Sequence, residues 1–300
     1  MTVRYVRPIS HSAYAARRIA LAALLLFVLA TLGHRFGPLR TPDFLALLLL
    51  SAAIAGAAVP LALFGLMRLW QKGAEGGVAS AQGLLYAAVP IAVVAMGAFP
   101  YLTQPALYEV TTDVEDPPPF LAAADYDQEW LAGREPIAVA GRRSQAAAYP
   151  GLTGRRYEGA LDRVLEGVEA AALSARIVLV KHEGDEPDLA ETEGESALPI
   201  PQNVPVPLQR PGDRPLPPDL ASIEEIVSPA EDLLVQGETR TLVLGLPFDL
   251  VIRLREDEET TSVDIRVASR YGSHDLGLSA QIAEDFLDRL DTELLGIAGG

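Results

Sequence analysis

FDLVIRLREDEETTSVDIRVASRY, residues 248–271, decides the fold of the more polar part of this chain. In its first arm Leu250, Ile252 and Leu254 alternate with Val251, Arg253 and Arg255. In its second, Val263, Ile265 and Val267 alternate with Asp264, Arg266 and Arg270. Successive side chains of a strand point to opposite faces, so each arm offers one face to a core and one polar face. The acidic stretch 257–261 between the arms predicts a hairpin connection.

Working outward, residues 239–244 (TRTLVL) and 176–181 (RIVLVK) read as two more strands. Residues 157–173 place Tyr157, Leu161, Val164, Leu165 and Val168 on one helical face. Glu158 and Asp162 then fall in the first turns, where the helix dipole favours acids. Residues 279–295 carry the apolar stripe Ile282, Ala283, Phe286, Leu287, Leu290 and Leu294, with Ser279 as the expected N-cap. Residues 103–156 read as irregular. The order helix, strand, three strands, helix predicts an α+β domain: an antiparallel sheet with helices packed on one face. Residues 183–232 interrupt it with 13 acidic and 2 basic residues, recurrent proline and no aromatics. Such a composition buries too little apolar surface to offset ordering, so a disordered or polyproline-like insertion is expected.

Upstream the chain changes character. Residues 19–33 (extended by 13–16), 44–67 and 84–102 are long apolar runs. Each can cross a hydrocarbon core of roughly 30 Å, the first with arginines 17 and 18 snorkelling to the interface. No A-x-A-like site follows the first run and two further runs come close behind, so it reads as a span rather than a cleaved signal peptide. Three N-terminal transmembrane helices, about 13–33, 44–67 and 84–102, are therefore expected before the soluble domain at 103–300. Six Lys/Arg flank the N-terminal side of the first span and the loop after the second, against Arg35 and Arg40 on the other side. The bias places the N-terminus in the cytoplasm and residues 103–300 outside, periplasmic if the membrane is a bacterial inner membrane. The spans hold no Asp, Glu or Lys. Intramembrane charges mark most transporters, so these helices read as an anchor, with the small residues 51–58 (SAAIAGAA) packing the spans together.

Charge follows the same division. Residues 1–100 hold 8 Lys+Arg and 2 Asp+Glu; taking these from chain totals of 24 and 40 leaves 16 and 38 in 101–300, a net of −22. A domain that acidic repels phosphate backbones, so nucleic acid is not an expected partner. Cysteine is absent, which removes disulfides, thiolate metal sites and Cys nucleophiles.

The densest motif is DIRVASRYGSHDLGLSAQI, residues 264–282. With TTDVEDPPPF at 111–120, AYPGL at 148–152 and LPFDLVIRL at 246–254, it resembles the DUF1499 family over about 110–295, insertion excluded. Asp264, Arg266, Ser269, Arg270, Gly272, Ser273, Asp275, Gly277, Ala280 and Ile282 carry the match. Val267 stands where Ser is usual, Leu250 where a second Asp is usual, Gly151 for Asp and Ser279 for Asn. The resemblance implies a domain and no reaction, since the family's function is unknown.

The candidate ligand-binding residues are Arg253, Arg266, Ser269, Arg270, Ser273 and Asp275. Guanidinium forks suit carboxylate or phosphate recognition, so an anionic small molecule or a lipid headgroup is the expected ligand, with a membrane-protein partner as another expectation. Weighed against this is a solvated sheet face partly neutralised by Asp249 and Asp264. A hydrolase using Ser269 or Ser273 with His274 is the alternative. Consecutive Ser273, His274 and Asp275 converge poorly as a triad, however, and Gly272 and Gly277 suit a turn. Asp113, Glu115 and Asp116 also read as a turn. His182, Glu183 and Asp185 have ligand-type side chains without a second cluster, so no metal or cofactor is expected.

Overall fold

A computed structural model of the chain describes residues 8–122, 126–183 and 232–297. The expected insertion at 183–232 lies almost wholly outside the described residues, as does Asp185. Three long helices come first: α1 (His11–Phe36), α2 (Thr41–Lys72) and α3 (Gly77–Thr103). All three are long and apolar enough to cross a membrane. Each runs past the apolar run that marks it, because the polar ends continue the backbone ladder: Pro42 sits in the first turn of α2, and Gly73 closes it with a left-handed φ of 61°. Ala20 and Ala23 of α1, Ala55 and Ala58 of α2 and Ala87 of α3 form the buried seam, so small residues let the backbones approach. Gly65 is the tightest point. A Cβ there would lie 2.4 Å from Ser80 Oγ and 2.9 Å from Ala13 Cβ.

The rest is α+β. In chain order come β1 (Glu109–Thr111), α4 (Val139–Ala148), β2 (Arg155–Glu158), α5 (Leu161–Ser174), β3 (Val178–Glu183), β4 (Leu233–Arg240), β5 (Pro247–Asp257), β6 (Thr260–Ser269) and α6 (Leu278–Ile297). The sheet order is β1-β6-β5-β4-β3, and β2 also pairs with β6, every pairing antiparallel. The hairpin at 248–271 is its centre: Ile252 opposes Ile265 and Arg253 opposes Asp264. The apolar faces of β5 and β6 meet the stripes of α5 and α6 in one core that includes Val164, Val168, Phe286, Leu287 and Leu290.

Several local expectations need correction. Tyr157 and Glu158 belong to β2, and the helix begins at Leu161, so only Asp162 stands in its first turn. The strand expected at 239–244 is β4, which runs earlier, from Leu233; residues 242–244 are a turn that leaves Leu242 and Val243 exposed. Residues 103–156 contain β1 and the helix α4. Ser279 does not cap α6. The Asp275 carboxylate accepts from the backbone N–H groups of Gly277 (2.8 Å) and Ser279 (3.2 Å), while the Ser279 hydroxyl is buried without a partner among the described residues.

The domain is docked on the helices. His34 Nδ1 lies 2.8 Å from the Leu244 carbonyl and Nε2 lies 3.0 Å from the Thr41 hydroxyl. A carbonyl only accepts, so Nδ1 carries the proton and Nε2 accepts from Thr41. Arg35 donates to the Thr241 carbonyl at 2.9 Å, and Trp130 Nε1 to the Pro42 carbonyl at 3.2 Å.

Candidate functional site

The six candidate residues fall into two groups. Arg253, Arg266 and Arg270 lie on the polar face of the sheet, and that face is not solvated. Eight successive residues of β5, from its first, are buried on both sides. Arg253 is among the largest fully buried side chains. The 111–120 segment folds over it: Asp113 takes the N–H groups of Glu115 and Asp116 on one oxygen, as the expected turn requires, and Arg253 on the other at 2.9 Å. Asp116 and Asp264 accept from the same guanidinium at 2.8 and 3.2 Å. Burial disfavours the charged form of Arg253, but the bonds it donates to Asp264 and Asp116 outweigh it and hold the guanidinium above its usual range. Two residues on, Arg255 grips Asp232 with two bonds of 2.8 Å, and this holds the Asp232 carboxyl below the usual carboxylate range.

The other two arginines are likewise committed. Arg266 forks onto the buried Glu109 at 2.7 and 2.9 Å, donates to the Pro118 carbonyl and lies 4.8 Å over the Phe120 ring. Arg270 bonds Asp249 at 2.7 Å and also Glu238, with its guanidinium 5.0 Å over Tyr126. Between them lies an open cavity of about 380 Å³ bordered by Tyr108, Glu109, Tyr126, Arg134 and Arg266. Burial first, and then Glu109 for Tyr108 and Asp249 for Tyr126, push both phenols up. Two acids, Glu109 and Asp249, and two arginines, Arg134 and Arg266, border this cavity, so its formal charges balance.

Ser269, Ser273 and Asp275 sit elsewhere, at the end of β6 and on the turn that joins it to α6. Gly272 (φ 79°) and Gly277 (φ 76°) supply its left-handed positions. Gln128 fastens it by accepting from Gly272 N–H at 2.8 Å and donating to the Arg270 carbonyl. Arg134 donates to the Ser269 carbonyl, and the Asp275 N–H to the Leu107 carbonyl. This turn rests on the end of α3: the His274 ring stacks on Tyr101 at 5.0 Å, and Tyr149 bonds Gln104. The hydrolase residues come to one wall without joining. Ser269 Oγ donates to the Tyr271 carbonyl, His274 Nδ1 accepts from Leu276 N–H, and Nε2 is buried with no partner among the described residues.

Between the turn and the helices lies a larger cavity of about 570 Å³. Leu45, Leu48 and Leu49 of α2 and Val93, Val94, Gly97, Ala98 and Tyr101 of α3 form two sides; Trp130, Leu246 and the 269–278 turn form the third. Of the sequence candidates, Ser269, Ser273 and Asp275 line it. Glu109, Arg134, Gln128 and Trp130 are not among the sequence candidates; Glu109 opens the three-residue β1, the others lie in loops, and no periodicity marks any of them. Among the described residues no group of three or more His, Asp or Glu side chains is placed to hold a metal.

The family model described as "Protein of unknown function (DUF1499)" matches residues 109–290. Comparison with curated proteins and with solved structures returns no match.

Proposed function

The chain belongs to the DUF1499 family, and from that premise we propose that it is a membrane-anchored, non-catalytic binding protein of a bacterial inner membrane. Its N-terminus lies in the cytoplasm, residues 103–300 lie in the periplasm, and the ligand or partner is taken where the 269–278 turn meets the spans. The docking of that turn on α3 carries the reading. Within the family-like motif at 264–282, His274 stacks on Tyr101, about two turns of helix above Val93 on the cavity floor. Pockets with apolar walls and a few polar groups are the usual places for ligands. The arginine face supports anion binding less well, because Arg253, Arg266 and Arg270 already donate to carboxylates.

Alkaline phosphatase fused after Gly300 tests the orientation. It should be active, and a well-expressed inactive fusion reverses the topology. For the non-catalytic part, purified protein should hydrolyse neither p-nitrophenyl esters nor p-nitrophenyl phosphate. Turnover that disappears in His274→Ala would instead establish the serine–histidine alternative.

A further inference from the structure

We propose that the cavity between spans and domain holds one acyl chain of a bilayer phospholipid, drawn sideways from the leaflet on the domain's side. This deepens the binding reading above and rests on it.

Position is the first argument. Two walls belong to helices that are long and apolar enough to cross a membrane. Leu49 lies eight residues into α2 and Val93 ten residues before the end of α3, so the floor lies ~12–15 Å below the helix ends, about half the thickness of a hydrocarbon core. Leu49, Ala98 and Tyr101 are exposed as well as lining, so the mouth opens on the outer surface of the spans, where lipid chains stand. A chain therefore enters without passing through water. Exposed Leu242 and Val243, in the turn held by Arg35, add an apolar edge beside the end of α1.

Chemistry is the second. The polar groups in the lining are largely spent on the protein: Thr41 on His34, Ser269 on Tyr271, Asp275 on the start of α6. Among the buried polar atoms of the lining the exception is His274 Nε2, and the hydroxyls of Tyr101, Tyr271 and Ser273 add polar groups at the same end. With Nδ1 accepting from Leu276, the neutral ring carries its proton on Nε2, which is buried and unpartnered among the described residues. A slot with mostly apolar walls and its polar groups gathered at the turn end fits a hydrocarbon chain headed by an ester group. It does not fit a free anion. Gly97 and Ala98 contribute little side-chain bulk to the lining.

Trp130 reports on the cavity directly. The chain has 2 tryptophans, and Trp70, at 92% exposure, tolerates replacement. In the full-length Trp70→Phe protein in mild detergent, a phosphatidylcholine with dibrominated chains should quench Trp130 saturably, levelling near one lipid per chain. Excess unbrominated lipid should restore the fluorescence. Ala98→Phe in the same background fills an exposed position and should lose most of the quenching. Linear, non-saturating quenching overturns the proposal, as does quenching that Ala98→Phe leaves unchanged. An equimolar membrane protein that survives detergent exchange and shields Trp130 also overturns it, by placing a helix there instead. A reversed orientation shows only in the phosphatase fusion and leaves this titration intact, so the two failures are separable.

Discussion

Replacing Arg253 by Met should destabilise the domain far more than the same change at Arg255, two residues along the same strand face. Arg253 is 2% exposed, and its removal leaves Asp264, at 16%, with a single bond from the Thr112 hydroxyl. Asp116 is 70% exposed and recovers water, and Asp113, at 27%, keeps two backbone N–H bonds, so Asp264 bears most of the penalty. Breaking a buried pair from one side costs 3–5 kcal/mol in general; with a single stranded acid the expected figure is about 3 kcal/mol. Arg255 is 44% exposed, and its pair with Asp232 is a surface pair worth about 1 kcal/mol or less. At roughly 2–4 °C per kcal/mol for a domain of this size, Arg253→Met should lower Tm by about 6–12 °C and Arg255→Met by less than about 4 °C. Thermal unfolding of the full chain in mild detergent, followed by circular dichroism, measures both. Asp264→Asn added to Arg253→Met should recover part of the loss, because it removes the stranded charge. Equal shifts for the two arginines, or an unshifted Tm with an anion affinity lost in Arg253→Met, would refute the structural role and restore the arginine face as a binding surface.

Two further outcomes follow from the geometry. Asp275→Ala removes the acceptor for two N–H groups at the start of α6 and should cost about 1–2 kcal/mol, whereas Ser279→Ala should cost almost nothing because its hydroxyl has no partner among the described residues; a larger loss at Ser279 would reverse the capping assignment. The Tyr157 hydroxyl, buried and bonded to Asp291 at 2.6 Å, is held well above the usual tyrosine range by burial first and Asp291 second. Tyr108, Tyr126 and Tyr149 shift the same way, chiefly through burial. A folded-state pKa raised above the unfolded one gives stability that is whole below about pH 10 and is lost as pH rises from there toward the folded value. Tyrosinate absorbance should therefore appear in part only as the domain unfolds; full titration near pH 10 with native circular dichroism intact would contradict this.

The fold was legible wherever a period repeated. Three apolar runs, the alternating hairpin and the stripe of α6 are long enough for burial alone to set their structure. Short elements were not legible. β1 and β2 are edge pairings of three and four residues whose register comes from β6, and α4 (VAGRRSQAAA) has no apolar stripe. At 239–244 the apolar signal misled, since Leu242 and Val243 are exposed in a turn rather than paired in a sheet. Alternation revealed the arginine face but not its fate. Nothing local in the 111–120 segment (TTDVEDPPPF) says that Asp113 and Asp116 fold back onto Arg253 across 140 and 137 residues of chain. The candidate site divides the same way. The 264–282 motif points to the turn, while the helix end on which it rests reads, in sequence, only as the end of an anchor.

That last point changes how the spans should be regarded. A domain hung on a flexible linker would keep its site when cut free. Here Leu276 and Gly97 line one cavity, His274 stacks on Tyr101, and Tyr149 bonds Gln104, which caps α3, so α3 is part of the site's construction. Cutting the chain after α3 would leave the sheet, its two covering helices and the acid–arginine network intact, yet it would remove two of the three sides of the larger cavity. The His274 ring would lose its stacking partner and the Nε2 proton would meet water instead of a buried site. A soluble fragment could therefore fold, show every ion pair of the sheet face, and bind nothing at the turn. The proposed binding therefore belongs to the spans and the domain together, and the full-length protein in a lipid-like environment is the species in which to measure it.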